Sequence, residues 1–249
     1  MVFILISFII GLILGSFGNV LIYRIPKRIS IVFPNSFCPN CNFPIKWYDN
    51  IPILSFFLLK GRCRNCKNKI SFLYPLVEFL CGVLCVLLYL KFGFLKMWIF
   101  LNFFFILLVI SIIDIKTTEI PDELSYYLIF SGIIFSIFNP FIGRHDIFIR
   151  ITNSAIGGLT GFFISYLIAI TGEKIFRKTA LGGGDIKLFT SVGIWLGYEG
   201  FFKIVFLSSF LGLVFIVLLS IYKKKTLWGS YLQFGPFISL GCFLYVFLN

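Results

Sequence analysis

Residues 95–114 read LKMWIFLNFFFILLVISIID, with no charged side chain between Lys96 and Asp114. About 20 consecutive apolar residues suffice for a helix to cross a bilayer, so this run predicts a membrane span over 95–113 that delivers Asp114 to its end. Outward from it, comparable stretches lie at 2–23, 73–91, 124–143, 151–170, 186–200, 203–221 and 232–248. The whole chain agrees: 59% of its 249 residues are hydrophobic, 13% are charged and the mean hydropathy is +1.00. A water-soluble globule of this length cannot hide so much apolar surface. The predicted fold class is therefore an all-α polytopic membrane protein of about eight transmembrane helices, with a small polar module between the first and second.

The net charge of +12 invites a nucleic-acid reading, but position decides its meaning. Of the 22 Lys and Arg, 17 fall in one set of alternate loops and 5 in the other. That asymmetry is a signature of membrane orientation and not of a nucleic-acid partner. It places residues 24–72 and the loops bearing Asp114 and Asp185 in the cytosol, with both termini on the far side. The first apolar run has neither a basic start nor an A-x-A-like site after it, so Met1–Tyr23 is expected to remain as the first span. The expected organisation is a first transmembrane helix over 1–23, a module over 24–72 and a membrane-embedded domain over 73–249.

Residues 24–72 carry five prolines and too few apolar residues for an ordinary core, so the module needs a staple. Cys38-Pro39-Asn40-Cys41 and Cys63-Arg64-Asn65-Cys66 supply one. Two Cys-x-x-Cys knuckles are spaced to wrap four thiolates around Zn²⁺, and a closed four-thiolate site is structural because no position is left for water. Two disulfides are the competing reading, disfavoured on a cytosolic loop. Cys81, Cys85 and Cys242 lie in apolar spans and read as packing residues. Gly11-x-x-x-Gly15 and Gly157-x-x-x-Gly161 read as sites of close helix approach.

Only ten residues are acidic, and several gather at span ends. Asp114 closes the third span, Glu119, Asp122 and Glu123 open the fourth, and Gly182-Gly183-Gly184-Asp185 opens the sixth. Ionisable groups at membrane depth face a bundle interior or a watery cavity. Two carboxylates brought together do not both ionise easily, so the pair supplies one base and one acid and can hydrolyse a peptide through an activated water. Gly182, Gly183 and Gly184 are candidate substrate-binding positions, expected to permit positive φ and close approach of an extended backbone. Taken singly, each Asp reads as a helix cap.

In order along the chain stand Gly15-Ser16-Phe17-Gly18-Asn19-Val20 with Arg24 and Pro26, the two Cys pairs and Tyr74-Pro75-Leu76-Val77-Glu78. Asp114 with Ile120-Pro121-Asp122, Gly-x-Gly-Asp at 182–185 and Phe234-Gly235-Pro236-Phe237 complete the series. Together they resemble the type IV prepilin leader peptidases, over nearly the whole chain. The resemblance implies an aspartic endopeptidase with Asp114 and Asp185 as the catalytic pair, acting on type IV prepilins or pseudopilins in the bacterial inner membrane. It also implies N-methylation of the new N-terminus with S-adenosylmethionine as cofactor, although no cofactor-binding residues are legible. The rival reading is a polytopic transporter or ion-relay protein with a zinc-stabilised loop.

Overall fold

The computed structural model describes residues 1–143, 146–223 and 232–248. Arg144, Lys224 and Lys225, which enter the charge asymmetry, lie outside the described residues. Among the described residues the α-helices are α1 at Val2–Arg24, α2 at Leu54–Leu58, α3 at Leu73–Thr117, α4 at Asp122–Phe135, α5 at Ile147–Phe176, α6 at Gly183–Lys223 and α7 at Gly235–Leu248, and there is no extended strand. Among the described residues α1, α3, α5 and α6 are long and apolar enough to cross a membrane, and α7 is a shorter apolar helix. Four such helices stand where eight spans were expected, in part because α3 and α6 each take up two of the apolar runs. Each carries a break: Gly93 in α3 has φ 76° and ψ 169°, and Gly197 in α6 has φ 72° and ψ 175°. This backbone region is essentially restricted to glycine.

The chain forms two compact units, residues 1–105 and 106–249. In the first, α1 lies against the start of α3. A side chain at Gly11 would collide with the Cys81 backbone and one at Gly15 would meet the Glu78 Cα at 2.5 Å, so the small stripe is what lets the backbones meet. Asn19 Nδ2 donates to the Tyr74 carbonyl at 3.0 Å and ties the same pair of helices. Where α1 ends, the buried Arg24 guanidinium donates to the carbonyls of Ser30 at 2.8 Å and Pro34 at 2.7 Å. A charged side chain thus gathers the loop that enters the module, satisfying carbonyls that no secondary structure claims.

In the second unit, α5 and α6 are in close contact through glycine faces. Gly157 abuts the Gly193 backbone, and a side chain at Gly161 would meet the Phe189 carbonyl at 2.6 Å. The break at Gly197 leaves the carbonyls of the preceding turn short of their usual i+4 donors. In lipid such groups need an internal partner. Ser154 Oγ donates to the Ile194 carbonyl at 2.9 Å and Asn139 Nδ2 to the Trp195 carbonyl at 2.6 Å. Trp195 itself is fully buried, and its indole N–H reaches the Leu128 carbonyl of α4 at 2.9 Å.

Candidate active site and metal centre

The two Cys-x-x-Cys segments adopt one backbone shape. The amide of Cys38 donates to the Phe43 carbonyl and that of Cys63 to Asn68, both at 2.9 Å. The residue after each second cysteine is left-handed, Asn42 at φ 54° and Lys67 at φ 59°. These turns bring the four sulfurs within 4.8 Å of one another, with Cys38 and Cys66 at 3.9 Å. Bonds of ~2.3 Å in a tetrahedron separate sulfurs by about 3.8 Å, so the donor set fits a tetrahedral metal. The Phe43 backbone and then Asn65 hold the Cys41 thiol down at about 7. Cys66 is pushed up to about 11: the Asn68 backbone lowers it, but burial and the three neighbouring sulfurs outweigh that. Crowded thiolates of this kind call for a cation. Beside them Arg64 grips Asp49 with a two-pronged contact of 2.6 and 2.8 Å, which holds the Asp49 carboxyl below its ordinary range.

Asp114 lies in the last turn of α3 and is 4% exposed. Its Oδ2 accepts the N–H of Gly235, the first residue of α7, at 2.9 Å. One turn earlier, Ser111 Oγ meets Ser239 Oγ at 2.7 Å, so α3 and α7 are stitched along one seam. Asp185 occupies the first turn of α6, where its Oδ2 accepts the Gly182 N–H at 3.2 Å. A carboxylate that reaches back to the helix start is the acidic half of a capping box and sits in the favourable field of the helix dipole. Both carboxylates belong to the second compact unit.

The link from Asp114 onward closes over the start of α6. Ile120 fills the space a side chain at Gly184 would need, and Asp122 pairs with Lys187 at 2.6 Å. The expectation of positive φ at Gly182, Gly183 and Gly184 is not met, because Gly183 and Gly184 already belong to the α6 helix and none of the three is left-handed. Close approach is what the segment retains: Gly182 and Gly183 are exposed, and a side chain at Gly183 would meet nothing within 4 Å. Asp122 is not a side-chain cap either. It is the first residue of α4, and its charge is engaged by Lys187.

Residues 9–92 match the bacterial peptidase A24 N-terminal domain and residues 101–217 the type IV leader peptidase family. A prepilin leader peptidase/N-methyltransferase of Vibrio cholerae is 34% identical over 257 residues, covering 100% of this chain and 97% of the relative. The Neisseria gonorrhoeae protein of that name is 31% identical over 93% of this chain and 86% of its own. The type 4 prepilin-like proteins leader peptide-processing enzyme of Escherichia coli O78:H11 is 33% identical over 96% and 91%. No solved structure matches. The chain belongs to the type IV leader peptidase family. Family membership leaves the transporter reading without support.

For a leader peptidase, the geometry gives the Phe234-Gly235-Pro236-Phe237 segment a task that its letters alone did not reveal. Gly235 presents its N–H to Asp114 at the start of α7, and an added Cβ would stand 2.9 Å from Asp114 Oδ2. Gly235→Ala should therefore displace the carboxylate. Losing a hydrogen bond to a charged group costs about 1.5–3 kcal/mol, or roughly ten- to a hundredfold in rate. We expect kcat for prepilin cleavage to fall by that factor with KM little changed; steady-state kinetics that show only a KM effect would refute it. Asp122, by contrast, is exposed and paired. Asp122→Asn should keep cleavage within about threefold of wild type, since exposed ion pairs contribute little. A dead Asp122→Asn enzyme beside an active Asp114→Asn enzyme would reassign the pair.

Proposed function

We infer that this protein removes the basic leader from type IV prepilins or pseudopilins by aspartic hydrolysis and then N-methylates the new N-terminus. The observation that carries the peptidase half is the carboxylate pair: Asp114, buried and fixed by a backbone N–H, and Asp185, anchored in the first turn of α6, over which the link that follows Asp114 closes. One carboxylate, ionised, takes a proton from water as the oxygen attacks the scissile carbonyl. The other, protonated, donates to the carbonyl oxygen; as the C–N bond breaks, the first carboxyl passes the proton from water to the leaving amine and the second takes back the hydroxyl proton. The exposed Gly182–Gly183 backbone beside Asp185 gives an extended substrate strand room to approach. S-adenosylmethionine, when bound, supplies the methyl group for the second activity.

Both aspartates stand near helix ends, which suits a scissile bond at the boundary between a basic leader and an apolar helix. The positive-inside charge pattern supports a cytosolic position for them, in the bacterial inner membrane. Helix lengths support two crossings each in α3 and α6: their 45 and 41 residues would run about 68 and 62 Å, against a hydrocarbon core of ~30 Å; with α1 and α5 that makes six, and the reading of eight adds the 14-residue α4 and α7. In this reading each glycine break separates two crossings. The metal held by Cys38, Cys41, Cys63 and Cys66 is zinc in a structural role, as four thiolates with no open position favour.

Purified protein in detergent, incubated with a prepilin and S-adenosylmethionine, tests the whole reading by product mass. The mature pilin should appear with one added methyl group. An intact prepilin after incubation with well-folded protein would overturn the peptidase, and an unmethylated product would remove only the second activity.

A further inference from the structure

The amides at the start of α7 are nearly all committed. The Phe237 and Ile238 N–H groups both reach the Phe234 carbonyl, at 3.0 and 3.1 Å, and Pro236 has no N–H to offer. Within Gly235–Ile238 that leaves the Gly235 N–H as the free donor, and Asp114 Oδ2 takes it at 2.9 Å. A helix start ordinarily presents several free amides, so an acceptor that slips from one finds another. Here a slide of α7 along α3 would leave Asp114 with no substitute. The axial register of α7 therefore decides whether the carboxylate is held.

A polar contact one turn deeper lies on the same two helix faces. Ser111 precedes Asp114 by three residues and Ser239 follows Gly235 by four, the spacings that stack side chains on one face of a helix. Their hydroxyl oxygens meet at 2.7 Å. Ser111 Oγ is also 2.7 Å from the Leu107 carbonyl, and Ser239 Oγ is 3.0 Å from that of Gly235 and 3.3 Å from that of Leu107. Two hydroxyls carry two protons, so one bond joins the helices and the other ends on a carbonyl. Against α6 the start of α7 is packed through rings, Phe234 on Phe189 and Phe237 on Phe215. Such apolar contact is non-directional, whereas a hydrogen bond fixes distance and angle. All these residues belong to the second compact unit. We propose that Ser239, through Ser111, is a positioning residue for prepilin hydrolysis: the hydroxyl pair holds α7 at the register that keeps the Gly235 N–H on Asp114. Productive geometry tolerates displacements of only about 0.5 Å, which one interhelical bond is enough to enforce. The proposal rests on the peptidase half of the proposed function.

The test uses the full-length protein in detergent and a synthetic prepilin peptide. Ser239→Ala and Ser111→Ala each break the link without orphaning a donor, since the remaining hydroxyl keeps a carbonyl within reach. Both variants should fold, as melting temperature and helix content will show. Their kcat should fall roughly three- to twentyfold with KM within about twofold, the scale of one interhelical hydrogen bond in a membrane. The double substitution should match either single one, because both remove the same bond. A second cycle separates positioning from general stability: in a Gly235→Ala background, where the carboxylate is already displaced, Ser239→Ala should lower kcat by less than about twofold. Full multiplication of the two effects in that background, or unchanged kcat in the folded serine variants, overturns the proposal. Failure of all the serine variants to fold overturns it too and makes the seam a matter of stability. Full activity of Asp114→Asn would remove the peptidase assignment itself, whereas an inactive Asp114→Asn beside fully active serine variants sinks only the positioning role.

Discussion

Asp114→Asn and Asp185→Asn will each abolish prepilin cleavage while leaving the helices and the metal in place. Asn keeps the size and polarity of Asp, and at position 114 it can still accept the Gly235 N–H, but it cannot exchange a proton. Loss of rate therefore reports acid/base chemistry and not a packing defect. A fall of at least roughly a thousandfold is expected, equivalent to about 4 kcal/mol of barrier. The double substitution should be no worse than either single one, because removing one member already disables the unit. In wild type the activity should follow a bell-shaped pH dependence, since one carboxyl must be ionised and its neighbour neutral. Its two limbs belong to the coupled pair and not to either residue alone. Single-turnover cleavage of a prepilin peptide, read by mass, measures each variant. Near-normal turnover by either one would exclude the pair as the catalytic centre.

The second large effect concerns the metal. Residues 25–72 contain only the five-residue α2 and short turns, and their buried side chains are few. The four sulfurs are thus the principal long-range tie within the module. Structural zinc contributes roughly 10–16 kcal/mol of apparent binding free energy to small domains of this kind. Chelation of the metal, or Cys38→Ser, should therefore unfold the module, seen as rapid amide exchange across residues 30–70 and protease cutting there. The packing of α5 against α6 should be preserved, because none of its contacts involve the cysteines. Reduced, fully folded protein that contains no metal would contradict the assignment.

The features most legible in the sequence were those whose chemistry forces a rare residue into an unlikely place. Four cysteines in two short pairs in a prolyl loop are of this kind, and so is the carboxylate at the end of LKMWIFLNFFFILLVISIID once it is read together with Asp185 and not singly as a helix cap. Glycine pairs at 11/15 and 157/161 were legible for a similar reason, since small residues one turn apart make a contact face, and both faces are in use. What could not be read was long-range and backbone-borne. The donor to Asp114 is a main-chain N–H 121 residues away, and a peptide group leaves no letter in the sequence. The pairing of Asp122 with Lys187 was hidden likewise, because two surface charges far apart in sequence carry no mark of contact. Glycine misled at 182–184, where freedom to turn left-handed is allowed but not used; Gly183 and Gly184 begin a helix instead. The apolar runs marked where helices lie but not how the backbone joins them.

The two interruptions at Gly93 and Gly197 reverse a common rule of protein engineering. Exchanging an exposed helical glycine for alanine usually stabilises, by about 0.5–1 kcal/mol, because alanine restricts the unfolded chain. At Gly93 there is ample room for the methyl group, with nothing within 4 Å of where it would stand. A packing score would therefore welcome the change. The backbone there has φ 76°, a conformation that costs an alanine on the order of 1–3 kcal/mol. Gly93→Ala is thus expected to lower the melting temperature in detergent, and Gly197→Ala to do the same with Ile142 crowding it further at 3.3 Å. Attempts to thermostabilise this protein for crystallography or assay should leave both glycines untouched and look for helix-favouring exchanges elsewhere.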